Sequence, residues 1–153
     1  MTNDQVSNLI KLRILFAIFF ATRNFNTYSL SLKLSLYLAS MIIVATELHV
    51  KKFSKFFRFT WLALRSMSQA KKSPGCLFAN PRSKGWRIGF TLTAWDNRES
   101  MLHFRNTGPH KVAMQEIRNV SSRYKTIVWE SDILPNWDEA LLKLREVSYK
   151  ELS

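Results

Sequence analysis

The chain is poor in the residues that staple or punctuate a fold. Its 153 residues include one cysteine, four glycines and four prolines. A single thiol, Cys76, excludes an internal disulfide and fits a reducing compartment such as the cytoplasm. A lone cysteine ordinarily behaves as a small hydrophobe, so Cys76 is read as packing rather than as a nucleophile. The scattered glycines form neither a phosphate-binding loop nor a dinucleotide fingerprint, and no Gly-x-Ser-x-Gly elbow occurs. Three histidines and one cysteine stand at no zinc-ligand spacing, so no side-chain metal site is expected. Long apolar runs are missing too. The longest N-terminal one, residues 14–21, falls short of the about 20 residues that span a bilayer. Acids are absent from Leu48 to Trp95, a stretch that holds Lys51, Lys52, Lys55, Arg58, Arg65, Lys71, Lys72, Arg82, Lys84 and Arg87.

What is present is the composition of one globular domain, with 46% apolar and 22% charged residues. The net charge of +12 suits an anionic ligand, an acidic membrane surface or nucleic acid, and says nothing of the fold. Residues 1–40 stand apart: Leu-, Phe-, Ser- and Asn-rich, without Gly or Pro, and with one acid, Asp4. Three readings are open for this extension. Its composition matches translated AT-rich DNA, which would make Met41 the functional start. The run 14–21 behind Lys11 and Arg13 would suit a targeting or anchoring segment. The alternation in "YSLSLKLSLYLAS" would suit an added strand.

From Met41 the pattern is regular. Residues 42–48 are apolar and β-branched, a strand. Phe53, Phe56, Phe57, Trp61, Leu64 and Met67 recur at the spacing of one helix face, which is expected to pack inward. Ser73-Pro74-Gly75 ends that helix. Residues 76–79 read as a short strand and 80–85 as a hairpin loop. In 86–95, Trp86, Ile88, Phe90, Leu92 and Ala94 share one apolar face. Arg87, Gly89, Thr91, Thr93 and Trp95 share the other, which is expected to stay uncovered by the domain's own helices. Asp96 and Glu99 would make a capping box for a helix to about Asn106, and Gly108-Pro109 breaks it before His110. Residues 124–131 form a fourth strand and 135–147 a last helix, with Asp138 and Glu139 early and Lys143 and Arg145 late. The order β-α-β-β-α-β plus a helix predicts an α+β, ferredoxin-like split βαβ fold, with a four-stranded antiparallel sheet and helices on one face. An open sheet face on so small a domain predicts a homodimer.

"AKKSPGCLFA", "TLTAWDNRESMLHFRNTGPHKVAM" and "PNWDEA" together resemble the dimeric α+β barrel superfamily. The closest branches are the antibiotic-biosynthesis-monooxygenase-like and spheroidene-monooxygenase-like ones, with the small bacterial domains of unknown function grouped with them. The resemblance covers about residues 41–144. It implies two subunits whose sheets face each other, and a small-molecule pocket inside each subunit between sheet and helices. The residues that carry it are Ser73-Pro74-Gly75, the Trp95-Asp96 step, Phe104 and the pair His110 and Met114. On that basis His110 is the catalytic candidate, as a general base or as the axial ligand of a haem. The cofactor would be none or haem. Trp95, His103, Arg105 and Met114 are candidates for ligand binding. Each has a plainer reading. His110 could bond backbone at a helix start with Met114 in the core, His103 could lie on a solvated face, Trp95 could cover the sheet end, and Arg105 and Arg87 could simply be solvated.

The function expected is binding, with possible monooxygenation, of a small apolar or aromatic molecule. The alternative is a non-catalytic binding or scaffold domain of the same fold, or a cationic module for a membrane surface or RNA. The helix "KKFSKFFRFTWLALRSM" permits membrane-surface binding. RNA recognition is disfavoured, because it needs aromatics on an exposed sheet face, whereas Trp86 and Phe90 lie on the apolar face and "IIVATEL" has none.

Overall fold

The computed structural model describes residues 40–152. Apart from Ser40, the N-terminal extension and its alternating segment lie outside the described residues. The elements are β1 (Met41–Val50), a 3-10 turn (Phe53–Lys55), α1 (Phe56–Lys72), β2 (Cys76–Lys84), β3 (Ile88–Trp95), α2 (Arg98–Asn106), α3 (Gly108–Gln115), α4 (Ile117–Val120), β4 (Ser121–Ser131), α5 (Trp137–Arg145) and β5 (Lys150–Glu151). The strands form one antiparallel sheet in the order β2-β3-β1-β4-β5. The first four strands and their crossovers are the split βαβ unit expected of a ferredoxin-like α+β domain. The sheet has five strands rather than four, because the chain after α5 returns to pair Lys150 and Glu151 with Tyr124 and Arg123.

Local differences have local causes. Residues expected as a hairpin loop belong to β2. Pro81 is tolerated there because β2 is an edge strand with no second neighbour to demand its missing N–H. The turn shrinks to Gly85, Trp86 and Arg87. Asn97, not Asp96, caps α2: its side chain accepts from the Ser100 amide at 2.8 Å. The Asp96 amide instead donates to the Gly75 carbonyl at 2.8 Å. Gly75 has φ +76°, and a Cβ there would run into Asp96 and Ser100, so this turn can hold only glycine without strain. The end of α1 is thereby tied to the start of α2.

The strand registers place Ile42, Val44, Thr46 and Leu48 of β1 opposite Trp95, Thr93, Thr91 and Gly89 of β3, all on one face. That face is the one α1 and α2 cover. Ile42 and Trp95 are buried in one cluster with Met67, Ala70, Met101 and Phe104. The expectation that the Gly89–Thr91–Thr93–Trp95 face lies bare is therefore corrected. Small residues on a strand here admit a close helix, and a Cβ on Gly89 would meet the Phe59 ring at 2.9 Å. The opposite face carries Met41, Ile43, Ala45, Leu92 and Ala94, packed against Ala140 and Leu144 of α5. The domain thus has three layers, and both sheet faces are at least partly covered.

Helix α1 also differs from its expected orientation. Its inward side is Leu62, Ser66, Met67 and Ala70. Met67 packs inward as expected, but Phe57, Trp61 and Leu64 face solvent. Ser66 and Ala70 let the helix approach the sheet closely, which the bulkier stripe would prevent.

Candidate functional site

The strand-to-helix junction gathers three aromatic rings into a row. Trp95 closes β3, pairs with Ile42 and Cys76 across the sheet, and is 0% exposed. Its indole N–H donates to the Thr93 hydroxyl at 3.0 Å, which satisfies the one polar atom it buries. The Phe104 ring of α2 stacks on it, with centroids 4.9 Å apart and planes at 29°. The His110 imidazole lies against the other partner, Phe104, at 4.4 Å and 50°. Burying rings the size of Trp95 and Phe104 stabilises the fold by about 2–3 kcal/mol each, so this row is a core element first.

His110 is held from three directions. Its ring Nδ1 donates to the Arg105 carbonyl at 3.1 Å, so the proton sits on Nδ1 and the Nε2 lone pair is left free. Its backbone N–H donates to Gln69 Oε1 at 2.8 Å. Gln69, from α1, turns its amide nitrogen to the carbonyls of Phe104 at 3.2 Å and Thr107 at 3.1 Å. One side chain thus adds a donor to two carbonyls at the α2–α3 junction, which also accept from the Thr107 and Lys111 amides, and satisfies an orphan amide at the start of α3. Gly108 makes the junction possible: φ is +53°, and a Cβ would press on the Gln69 amide at 3.2 Å. Burial lowers the His110 pKa below the ordinary histidine value, with the Arg105 carbonyl opposing and the Arg105 charge assisting, so the ring is neutral at pH 7.

The other candidates disperse. Met114 is one turn along α3 but 39% exposed, so it is not in the core. His103 and Arg105 are exposed on α2, and Arg87 is exposed with its guanidinium 5.4 Å from the Trp86 ring. The structure brings together Trp95, Phe104 and His110, and leaves His103, Arg105 and Met114 outside that row. Gln69 was missed. A lone glutamine in a helix gives no periodic signal, and its partners lie 35 to 41 residues away.

Sequence reasoning also missed a polar cluster on the opposite sheet face. Glu47 and Lys125 are both buried, and the register places them side by side. Glu47 Oε1 accepts from the Tyr149 hydroxyl at 2.6 Å and from His49 Nε2 at 2.8 Å, while Oε2 lies 3.4 Å from Lys125 Nζ. The Arg123 guanidinium sits 4.2 Å over the Tyr149 ring. Burial pushes the Glu47 carboxyl up, but the hydrogen bonds from Tyr149 and His49 and the Lys125 charge outweigh it, and the net shift is down. Burial and the Glu47 contact push the Tyr149 phenol up to about 12. Glu47 and His49 at i and i+2 of a strand share a face, and that spacing was the available signal.

Among the described residues, no group of three or more histidine, cysteine or acidic side chains could hold a metal ion. Burial raises the Cys76 thiol to about 11, which makes it a poor nucleophile at neutral pH. The tautomer leaves Nε2 as the atom that could ligate a haem iron, while Phe104 packs against the ring and Gln69 holds the backbone amide. A recess of about 440 Å³, lined by Asn136, Glu139, Leu142 and Arg145 among others, lies along α5, the helix that covers the sheet face away from this row.

The ferredoxin-like α+β fold is similar to that of several solved proteins, some described as monooxygenases and some of unknown function. Similar solved structures include an oxygenase described as cofactor-independent, SnoaB from Streptomyces nogalater, at 11% identity and TM-score 0.53, over 64% of this chain and 100% of that one. A Nitrosomonas europaea protein assigned as an antibiotic biosynthesis monooxygenase matches at 12% identity and TM-score 0.55, over 61% and 91%. A conserved Bacteroides thetaiotaomicron protein of unknown function matches at 16% identity and TM-score 0.54, over 60% and 98%. No family model and no curated protein matches the sequence. At such identities the likeness shows the fold alone.

Proposed function

We propose that the domain binds a small apolar or aromatic molecule between the sheet and α1–α3 and oxygenates it without a cofactor, with His110 as the base. The observation that carries this reading is the Nδ1–H bond from His110 to the Arg105 carbonyl, which sets the tautomer so that Nε2 is the nitrogen that can accept a proton. A substrate methylene made acidic by neighbouring carbonyl or phenol groups would lose a proton to Nε2. The resulting anion would reduce dioxygen directly. One oxygen atom ends in a new carbonyl and the other leaves as water, with the methylene supplying both hydrogens. The polar wall of such a site would be the threonine pair at the solvent-open side of the same sheet face. There Thr126 donates to the Ala45 carbonyl at 3.1 Å, so Thr46 must donate to Thr126 at 2.8 Å, and the Thr46 oxygen stays free to accept. The setting is a reducing compartment such as the cytoplasm. Among the described residues no helix is long and apolar enough to cross a membrane.

The unit is read as a homodimer joined through the other sheet face. Phe90, Ile127 and Trp129 there are only half-buried, and Ile133 and Leu142 on the flanking loop and helix are exposed. The burial of Trp95 and the exposure of Met114 favour a second reading, a non-catalytic binding or scaffold domain of the same fold.

Oxygen uptake with polyphenolic aromatics, measured beside thermal melting, separates the two. If His110 is the base, His110→Ala ends uptake and leaves the melting midpoint within a few degrees. If it is scaffold, the midpoint falls by the equivalent of about 1–3 kcal/mol and ligand affinity does not change. A wild type that sediments as a monomer at micromolar concentration would refute the dimer.

A further inference from the structure

The outward side of α1 is a hydrophobic ridge that the fold does not use. Phe53 is 58% exposed, Phe57 72%, Trp61 48% and Leu64 63%. On a helix, 57, 61 and 64 fall on one stripe, opposite the buried Leu62, Ser66 and Ala70. The ridge continues onto the β2–β3 turn, where the Trp86 ring meets Phe53 edge to face at 5.3 Å. Single exposed apolar side chains are ordinary, but a contiguous aromatic ridge marks an interaction surface.

The charge around the ridge selects its partner. Lys51, Lys52, Arg65, Lys71 and Lys72 are exposed on the same segment, and no acid occurs between Leu48 and Trp95. Arg65 lies with its guanidinium 4.7 Å from the Trp61 ring, so cation and aromatic are interleaved. Two copies meeting here would set these cations against one another. Residues 1–40 offer only Asp4 against Lys11, Arg13, Arg23 and Lys33, so they bring no complementary charge. Aromatic and leucine side chains at the crest with Lys and Arg at the flanks match the requirements of an anionic bilayer surface. There rings insert at the headgroup boundary and long cationic side chains reach the phosphates.

We propose that the outer face of α1, with Trp86 and Arg87 of the adjoining turn, docks the protein onto an anionic lipid surface, with α1 lying in the plane of the interface. This rests on the ridge and its charge alone and is independent of the reading of His110. Docking of this kind would deliver an apolar molecule dissolved in a bilayer to a domain of this class.

The test is flotation of the full chain with vesicles of neutral phosphatidylcholine and of phosphatidylcholine with anionic phosphatidylglycerol. Wild type is expected to partition onto the anionic vesicles at least about tenfold more strongly, since each cation near the surface contributes about fivefold. The double variant Phe57→Glu, Leu64→Glu changes only exposed positions. It is expected to keep the wild-type circular dichroism and lose the binding. Equal partitioning onto both vesicle types overturns the proposal. So does undiminished binding by the double variant, because salt-sensitive attraction that ignores the ridge is what any polycation shows, toward RNA as much as lipid. A fluorophore on Phe57→Cys in a Cys76→Ala background reports the remaining occupants. It should be open to iodide quenching in the free protein and shielded on anionic vesicles. Shielding without vesicles means that another segment or copy already covers the ridge, and also overturns the proposal.

Discussion

Two polar centres flank the sheet, one on each face, and they are stabilised by opposite means. At His110 the partners are one backbone carbonyl and a neutral glutamine, so burial dominates and the ring stays uncharged. At Glu47 the partners are a phenol, an imidazole and an ammonium, so the charge survives burial. Reactivity can reside at only one of them. A buried carboxylate whose charge is matched by an ammonium and which accepts from a phenol and an imidazole reads as a fastener, which pins the segment after α5 to β1 through Tyr149. A neutral imidazole with one nitrogen committed and one free reads as a base in waiting. The comparison can be broken at either centre.

The largest effect is expected at Glu47. Glu47→Ala leaves Lys125 buried without its carboxylate and strips Tyr149 and His49 of their common acceptor. Removing one partner of such a buried pair costs about 3 kcal/mol or more, so the thermal midpoint should fall by more than about 10 °C. A fall of only a degree or two would show that water replaces the carboxylate and that the cluster is not a fastener.

The His110 centre should give way more gently. Gly108→Ala forces a side chain into the left-handed region and onto the Gln69 amide. The expected cost is about 1–2 kcal/mol. Gln69→Leu, which is similar in volume, leaves the His110 amide without its partner and takes one of two donors from the Phe104 and Thr107 carbonyls, for about 1–3 kcal/mol. Both are read from chemical denaturation. If Gln69→Leu is neutral, the junction is held by packing and not by the clamp.

These two centres also show what a sequence can and cannot disclose. Strand and helix positions were legible because apolar spacing and the Pro-Gly breaks are local. The ferredoxin-like order followed from them, and so did the fold. Facing was not legible. The rule that an apolar face goes inward presumes one buried face, and it fails for β3, where α5 covers Leu92 and Ala94 while α1 and α2 cover Thr93 and Trp95. It failed again on α1, whose most apolar stripe is the exposed one, because the buried side is built from Leu62, Ser66, Met67 and Ala70. His110 was singled out, yet its tautomer depends on the Arg105 carbonyl five residues away in the preceding helix. Glu47 and His49 were adjacent on one face and readable as a pair, but Tyr149 lies 102 residues from Glu47, and no local signal connects them.

A smaller effect is expected from Tyr149→Phe, which deletes one hydroxyl from Glu47 and keeps the ring beneath Arg123. The loss should be about 1 kcal/mol, and it should remove an alkaline feature. The Tyr149 pKa is raised from 10 to about 12 in the fold. The stability it contributes is therefore complete below pH 10 and is lost as pH climbs toward 12. Wild type should lose stability across that interval, and Tyr149→Phe should lose less. Parallel curves would place the phenol outside the network.

The smallest effect is one of slope, and it separates the two centres most cleanly. Both acid-side groups have pKa values lowered by folding, so both contribute stability that is present at neutral pH and lost on acidification. They do so in different windows. For His110 the unfolded chain begins to bind a proton that the folded one refuses as pH drops below about 6.5. For Glu47 the same begins below about 4.5. Denaturation midpoints measured from pH 8 to pH 3 should therefore decline in two stages. His110→Gln should flatten the upper stage and leave the lower one. Glu47→Gln, which starts from a less stable protein, should flatten the lower stage and leave the upper. An upper stage that persists in His110→Gln would mean that His110 does not carry it, and the neutral imidazole on which the base assignment rests would lose its support.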